Sequence, residues 1–332
     1  MSGLVLVTGG AGFIGSNIVA ELVAAGREVV VCDRFRDAES GKWRNLRKHA
    51  VADVVEPDRL ADWLAAEGGG LSAVHHMGAI SATTEPDVDL IVRTNLLLSR
   101  LVWDACAKNG VPLVYASSAA TYGAGERGFK DDDALAALTA LRPLNAYGWS
   151  KALFDIWARR AADRGFAPPR WFGLKFFNVY GPNEYHKGRM RSLVHQVWPR
   201  VKTGASVTLF RSHNPAYPDG GQLRDFVYVK DAAKAAVWLE AAPTAPSGLY
   251  NIGTGRAQSF RELVDATFAA AGGTSQVEFV DTPEDIRPNY QYFTEAYMTK
   301  LRQAGFNADF LDVAAGVRDY VAGYLSASDP YR

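Results

Sequence analysis

The sequence predicts an α/β protein: a doubly wound parallel sheet with a smaller portion interleaved into its C-terminal half. Three observations predict it. Short β-branched runs alternate with longer amphipathic segments from the first residues, a glycine turn follows the first run, and the rhythm breaks after Asn178. Such alternation is the pattern of repeated strand, helix and strand units around a parallel sheet.

Leu4 to Val7, Glu28 to Cys32, Ala73 to His76, Leu113 to Ser117 and Trp171 to Phe177 read as strands. Most are apolar along their whole length, as strands covered by helices on both faces must be. Beyond Asn178 the sequence turns loop-rich, above all from Arg211 to Gln222, where Asn, Pro, Asp and Gly accumulate and no period survives. Phe226 to Val229 and Asp231 to Glu240 restore one strand and one helix. Ser259 with Glu262 three residues on is a capping box that opens another helix. Thr294 to Ala304 and Phe310 to Leu325 complete the set as expected helices. The division expected is a dinucleotide-binding core over residues 1–177 with about 226–248, and a substrate-binding portion over 178–225 and 249–332.

At 332 residues the chain buries a large core, and its apolar 48% and charged 22% are ordinary globular values. Lys plus Arg and Asp plus Glu both number 36, so no net field draws the chain to nucleic acid or to an anionic membrane. An anionic ligand must be held locally. Cys32 and Cys106 lie in apolar stretches, which suits packed thiols in a reducing compartment and supplies neither a disulfide framework nor a zinc set. No basic leader precedes the first strand, and no apolar run approaches the ~18 residues of a membrane span. The expectation is a cytoplasmic protein.

Val5-Leu6-Val7-Thr8-Gly9-Gly10-Ala11-Gly12-Phe13-Ile14-Gly15 reads as strand, turn and helix start. Small residues let the backbone approach a pyrophosphate, and the first N–H groups of the helix neutralise it. The spacing G-x-x-G-x-x-G is a variant of the commoner dinucleotide fingerprint. Its place after the first strand, with Asp33 ending the second, gives it weight. Asp33 stands where a carboxylate accepts the adenosine ribose hydroxyls, which argues for NAD. Arg34 and Lys42 follow, and a cation there accepts a 2′-phosphate, which argues for NADP. Solvated surface charges are the alternative for both cations.

Asp53 would accept from the adenine amine, or is a plain loop carboxylate. Gly78 and Ala79, after the strand carrying His75 and His76, and Asn95 on the next helix would face the cofactor at the carboxyl edge of the sheet. His75 and His76 are adjacent on a strand and point to opposite faces, so core packing is expected there and no metal site.

Tyr147-Gly148-Trp149-Ser150-Lys151 opens a helix after Pro143, placing Tyr147 and Lys151 one turn apart on one face. A free tyrosine, with a pKa of about 10, is a poor base at neutral pH. An adjacent ammonium is expected to lower it, so that Tyr147 takes a proton from a substrate hydroxyl while hydride leaves the carbon. Ser117 and Ser118 end the preceding strand, where a hydroxyl donates to the developing oxyanion.

The glycines, the run Ser117-Ser118-Ala119-Ala120-Thr121-Tyr122-Gly123, the Tyr147/Lys151 pair and Asn178-Val179-Tyr180-Gly181-Pro182 resemble the extended short-chain dehydrogenases/reductases over essentially the whole chain. The resemblance implies a Rossmann-type sheet and a bound nicotinamide dinucleotide. Dehydratases of that family carry Asp-Glu where this chain has Ala120-Thr121, so loss of water is disfavoured and epimerisation of a sugar carbon fits better.

Ser81-Ala82-Thr83-Thr84-Glu85, Glu184-Tyr185-His186-Lys187-Gly188-Arg189-Met190, Arg224-Asp225-Phe226-Val227-Tyr228-Val229 and Tyr290-Gln291-Tyr292-Phe293-Thr294 are similar to the ADP-heptose 6-epimerases. Those enzymes invert C6″ of the heptose of the lipopolysaccharide inner core. The cofactor expected from Arg34 and Lys42 is NADP, with NAD possible, and the resemblance implies a homo-oligomer, a pentamer. It makes Tyr147 and Lys187 opposed acid/bases and adds Phe13, Ile14, Met77, Ser81, Val179 and Lys187 to the cofactor site. It assigns Ser118, Asn178, Phe210, Arg224 and Tyr290 to the sugar nucleotide, Arg224 as a clamp on the pyrophosphate. A surface charge is the alternative for Lys187, and an ion pair with Asp225 the alternative for Arg224. Arg189 stands where a small hydroxyl residue is usual and Gln196 where histidine is usual. Residues His213 to Gln222 are extra.

Two rival functions share these motifs. A UDP-hexose 4-epimerase needs no Lys187, because flipping the whole ring presents both faces to one tyrosine. A non-catalytic NADP-binding sensor or structural subunit needs neither Tyr147 nor Lys151.

Overall fold

The computed structural model describes residues 3–284, 287 and 290–332. Its first half runs β1 (Leu4–Thr8), α1 (Phe13–Ala24), β2 (Val29–Cys32), β3 (Asp53–Val55), α2 (Leu60–Glu67), β4 (Leu71–His76), α3 (Val88–Ile91), α4 (Leu98–Asn109), β5 (Leu113–Ser118), α5 (Leu135–Ala140), α6 (Ala146–Asp163) and β6 (Trp171–Phe176). A π-helical turn over Val92–Leu97 joins α3 to α4. The second half runs β7 (Asn178–Tyr180), α7 (Leu193–Val201), β8 (Val207–Phe210), β9 (Leu223–Tyr228), α8 (Val229–Ala241), β10 (Gly248–Ile252), β11 (Ala257–Ser259), α9 (Phe260–Ala270), β12 (Val277–Val280), α10 (Thr299–Gln303) and α11 (Val313–Tyr320).

Seven strands pair in parallel in the order β3-β2-β1-β4-β5-β6-β10. This is the doubly wound sheet expected, extended by β3 and β10. β-branched side chains on both faces let β1 and β2 sink completely: Val5, Leu6, Val7, Val29 and Val31 have no exposed surface. One face is covered by α1 and α8, where Ala232, Ala233, Ala235 and Ala236 keep the helix close. The other is covered by α2, α4 and α6 through Leu64, Trp103, Phe154 and their neighbours. Strand order reverses direction between β1 and β4, and their carboxyl ends open a crevice there.

The remaining strands form two small sheets, β11-β9-β7 and β12-β8. The capping box of Ser259 and Glu262 opens α9 as expected. The expected strand ending at Val229 runs over Leu223–Tyr228, and the expected boundary at 248/249 falls inside the paired strand β10.

Two expected helices are shorter than the sequence suggests. From Thr294 to Tyr297 the backbone bonds sideways, Thr294 N to the Leu223 carbonyl, Ala296 N to the Asp225 carboxylate and Tyr297 N to the Phe129 carbonyl. The helix begins only at Thr299. Asp312 accepts from Ala315 N, so α11 starts at Val313 and then loosens into a π turn over Val321–Leu325.

His75 and His76 face opposite ways, His75 onto Glu240 of α8 and His76 between Thr8 and Ser99. Cys32 and Cys106 are free and buried, and burial pushes both thiols up to about 12. Among the described residues no helix is long and apolar enough to cross a membrane.

Candidate active site

The crevice above β1 and β4 is a cleft of about 450 Å³. Its floor is the glycine turn. Gly9 has φ +66, a left-handed value, and a Cβ there would lie 2.6 Å from Gly78 N. At Gly15 a Cβ would lie 2.1 Å from the Gly9 carbonyl oxygen, so the turn admits no side chain. Gly12 caps α1 without a side chain to satisfy the first N–H groups, which leaves them for an anion. These features fit a dinucleotide pyrophosphate.

Of the expected cofactor residues, Gly9, Gly12, Phe13, Ile14, Gly15, Asp33, Lys42, Met77, Gly78, Ala79, Ser81, Tyr147, Lys151, Val179 and Lys187 line this one cleft. Three do not. Arg34 turns outward to Asp58, both largely exposed. Asp53 opens β3 instead of closing a run, is exposed, and accepts from Val54 N at 2.7 Å. Asn95 is buried behind the wall, holding Ile80 N and O at 2.8 and 3.0 Å and donating to Ser150 Oγ at 3.0 Å, so it braces the loop after β4 against α6.

Asp33 accepts from Ala11 N at 2.9 Å, Arg34 N at 2.7 Å and Lys42 Nζ at 2.5 Å. Arg36, with a left-handed φ of 61, supplies the second cation that the sequence reading gave to Arg34. Ser40, Ile80, Glu85, Phe177, His186 and Met190 also line the cleft and were not foreseen. Glu85, His186 and Met190 lie inside recognised motifs without having been assigned a role, and Ile80 and Phe177 adjoin recognised residues, which is the signal the sequence holds for them.

Tyr147 sits in the first turn of α6, whose N-cap Asn145 accepts from Gly148 N at 2.8 Å. The Ser118 hydroxyl stabilises its phenolate, but burial dominates and raises the phenol above its ordinary 10, with Asp155 adding to the rise. The expectation of a phenol held low by its lysine is therefore overturned. Lys151 donates to the Ala116 carbonyl at 2.8 Å, and burial brings its own value down to about 8.

Ser117 and Ser118 divide their duties. Ser117 donates to Asp155 at 2.7 Å, inside a buried cluster where Lys175 binds Asp155 at 2.8 Å and Thr121 at 2.7 Å, and only Ser118 faces the tyrosine.

Lys187 reaches the cleft from a turn over Tyr185–Met190, its Nζ 5.1 Å from the centre of the Phe13 ring. Burial lowers its proton affinity and Glu184 raises it. The neighbouring His186 is held down to about 4 by burial.

The residues expected to hold a sugar nucleotide fall outside this cleft, Ser118 excepted. Arg224 is buried, donates to the Leu223 carbonyl at 2.8 Å and to the Gln291 carbonyl, and lies between the rings of Phe260 and Tyr290 at 5.5 and 5.7 Å. Its alternative as a partner of Asp225 is excluded, because Asp225 accepts instead from Thr254, Gly255 and Ala296. Phe210 meets Tyr290, Tyr290 meets Tyr292, and Tyr292 meets Tyr217 of the extra loop, so a run of aromatic rings leads from the guanidinium's neighbour Tyr290 to that loop. Asn178 and Arg189 are exposed, and Gln196 donates to the Arg189 and Arg191 carbonyls.

A doubly wound sheet, an open glycine turn and a tyrosine, lysine and serine around one cleft define a nicotinamide-dependent enzyme. The chain belongs to the NAD dependent epimerase/dehydratase family, which residues 5–253 match. It is 43% identical to the ADP-L-glycero-D-manno-heptose-6-epimerase of Fusobacterium nucleatum, over 99% of this chain and 100% of that one. Among solved structures it is similar to the enzyme of that same name from Helicobacter pylori, with a TM-score of 0.79 and 26% identity over 97% of this chain and 96% of the other. It is also similar to the UDP-glucose 4-epimerase of Thermus thermophilus in complex with NAD, with a TM-score of 0.71 and 30% identity over 96% and 97%.

Proposed function

We propose that this chain epimerises ADP-D-glycero-D-manno-heptose to ADP-L-glycero-D-manno-heptose at C6″, supplying heptose for the lipopolysaccharide inner core. The observation that carries this reading is that Tyr147 and Lys187, from different elements, line the same cleft as the glycine turn. Identity to curated enzymes of that name supports the substrate.

The glycine turn, Asp33, Lys42 and Lys151 would hold a nicotinamide dinucleotide, which would supply reversible hydride acceptance for oxidising C6″ to a 6-keto sugar and reducing it again on the opposite face. The protein supplies the proton traffic. One group removes the hydroxyl proton as hydride leaves, and another delivers a proton to the oxygen as hydride returns. Burial keeps the proton on Tyr147, which enters as the acid, while burial of Lys187 makes its ammonium easier to deprotonate. Ser118 donates to the oxygen as its charge develops. Lys151, fixed on Ala116 and lining the cleft, would help to hold the dinucleotide.

Arg224 clamps the ADP pyrophosphate, and Phe210 and Tyr290 border the adenine. Asn178, Arg189 and Gln196 complete the approach to the sugar. Lys42 and Arg36 beside Asp33 favour NADP over NAD. Residues 1–177 with about 226–248 act as the cofactor core and 178–225 with 249–332 as the substrate portion, β10 extending the core. The enzyme works in the cytoplasm as a homo-oligomer, a pentamer.

The test is a panel of ADP-heptose and UDP-galactose followed by anomeric NMR, with the nucleotide released on denaturation identified. Turnover of ADP-heptose with NADP released is expected. Turnover of the UDP sugar alone would discard the substrate.

A further inference from the structure

A buried carboxylate stands behind Lys187. Glu184 has no exposed surface, and its carbonyl accepts from Lys187 N at 3.0 Å, so the two residues close one turn. Its side chain accepts from Ser192 Oγ at 2.6 Å, from Ser192 N, and from the Tyr320 hydroxyl of α11 at 3.0 Å. Among the described residues it forms no ion pair. Burial raises the Glu184 carboxyl above the ordinary carboxylate range, while the Ser192 and Tyr320 donors and Lys187 pull it back toward the charged form. A charge held there against burial, without a direct counter-ion, needs a use.

The use is at hand in the surroundings of Lys187. Arg36 and Lys42 act on His186 beside the same turn, and Asp33, a carboxylate lining that part of the cleft, is already bound to Lys42. Glu85, Tyr147 and Lys151 line the cleft from the loop after β4 and from α6. Glu184 is the charge that acts on Lys187, and Lys187 acts on it in return.

We propose that Glu184 is a positioning residue for Lys187: its carboxylate locks the turn from Glu184 to Ser192 onto α11 and balances the Lys187 ammonium from behind. The inference rests on the acid/base reading of Lys187. Removing the negative charge disfavours the ammonium, so the limb of the pH–rate profile that belongs to Lys187 moves to lower pH.

The experiment measures kcat from about pH 6 to about pH 10 for wild type, Glu184→Gln, Ser192→Ala, Tyr320→Phe, Lys187→Met and the Glu184→Gln/Lys187→Met double variant. Glu184→Gln is expected to move that limb down by roughly one unit, about tenfold in the charged fraction at a given pH. Ser192→Ala removes the donor at 2.6 Å from the carboxylate and is expected to move the limb the same way by less than Glu184→Gln. The double variant is expected to be no slower than Lys187→Met alone.

An unmoved limb in Glu184→Gln, or a further loss of the same size on top of Lys187→Met, overturns the proposal. If Glu184→Gln does not fold, Tyr320→Phe decides. It removes a donor from the carboxylate and is expected to move the limb the same way by less; no movement overturns the proposal. Full activity in Lys187→Met removes the acid/base reading itself, whereas an inert Lys187→Met with an unaltered Glu184→Gln removes only this inference.

Discussion

Lys151 Nζ donates to the Ala116 carbonyl oxygen at 2.8 Å, tying the second turn of α6 to the end of β5. The ammonium is spent on the sheet and not on the phenol one turn before it. Tyr147 accordingly keeps its proton, raised by burial and only partly relieved by Ser118. Replacing Tyr147 with Phe is expected to cut epimerisation by at least ~10²-fold, the low end for an acid/base, with dinucleotide still bound. Lys187→Met should lose as much. Steady-state rates on ADP-heptose check both, and near-normal turnover in either removes that residue from the chemistry.

The Asp155–Lys175 pair is buried on both sides, and Asp155 also receives Ser117 and Tyr115. Lys175→Met strands the carboxylate and is expected to destabilise the fold by about 3–5 kcal/mol, while adding Asp155→Leu recovers much of that. Urea denaturation of the single and double variants measures it. A loss below ~1 kcal/mol in the single variant would mean the pair is not the anchor described.

Gly15→Ala forces a methyl to within 2.1 Å of the Gly9 carbonyl oxygen, and the turn must open. Dinucleotide affinity is expected to fall at least ~10-fold, since the backbone can no longer approach the pyrophosphate. Gly70→Ala meets only open space and is the control. Equal affinity for the cofactor in the two variants would contradict the assigned role of the turn.

His76 is buried between Thr8 and Ser99 and held neutral, its value brought down to about 3 by burial and by Lys151. A group whose proton affinity is lower in the folded state stabilises the fold above its unfolded value of ~6.5, and that stability drains away as pH falls toward about 3. His186 and His195, both brought down to about 4, act in the same direction. Unfolding free energy should therefore decline between pH 7 and pH 5, and His76→Gln should flatten the decline.

The sheet was legible because its strands are apolar on both faces, and the glycine turn because its spacing admits one geometry. Asp33, Tyr147, Lys151 and Ser118 followed from their offsets to those strands. What the sequence hid depends on direction. Nothing in Arg34 and Arg36 tells which of two nearby arginines faces the cleft; that is decided by the left-handed backbone at Arg36 and by Asp58 claiming Arg34. Nor does the Tyr147 and Lys151 spacing reveal that the Ala116 carbonyl of β5 takes the ammonium. The short strands Val207–Phe210, Gly248–Ile252 and Val277–Val280 were missed because each lies in sequence without a clear period and is held by its pairing partner.

The most direct test uses ADP-D-glycero-D-manno-heptose carrying deuterium at C6″, with the product read by NMR. Full retention of the deuterium at C6″ of the L-glycero product is expected, because the hydride leaves to the bound nicotinamide and comes back. Washout of the label into solvent would show that C6″ is inverted through a carbanion, and the redox account built on Tyr147, Lys187 and the glycine turn would be wrong.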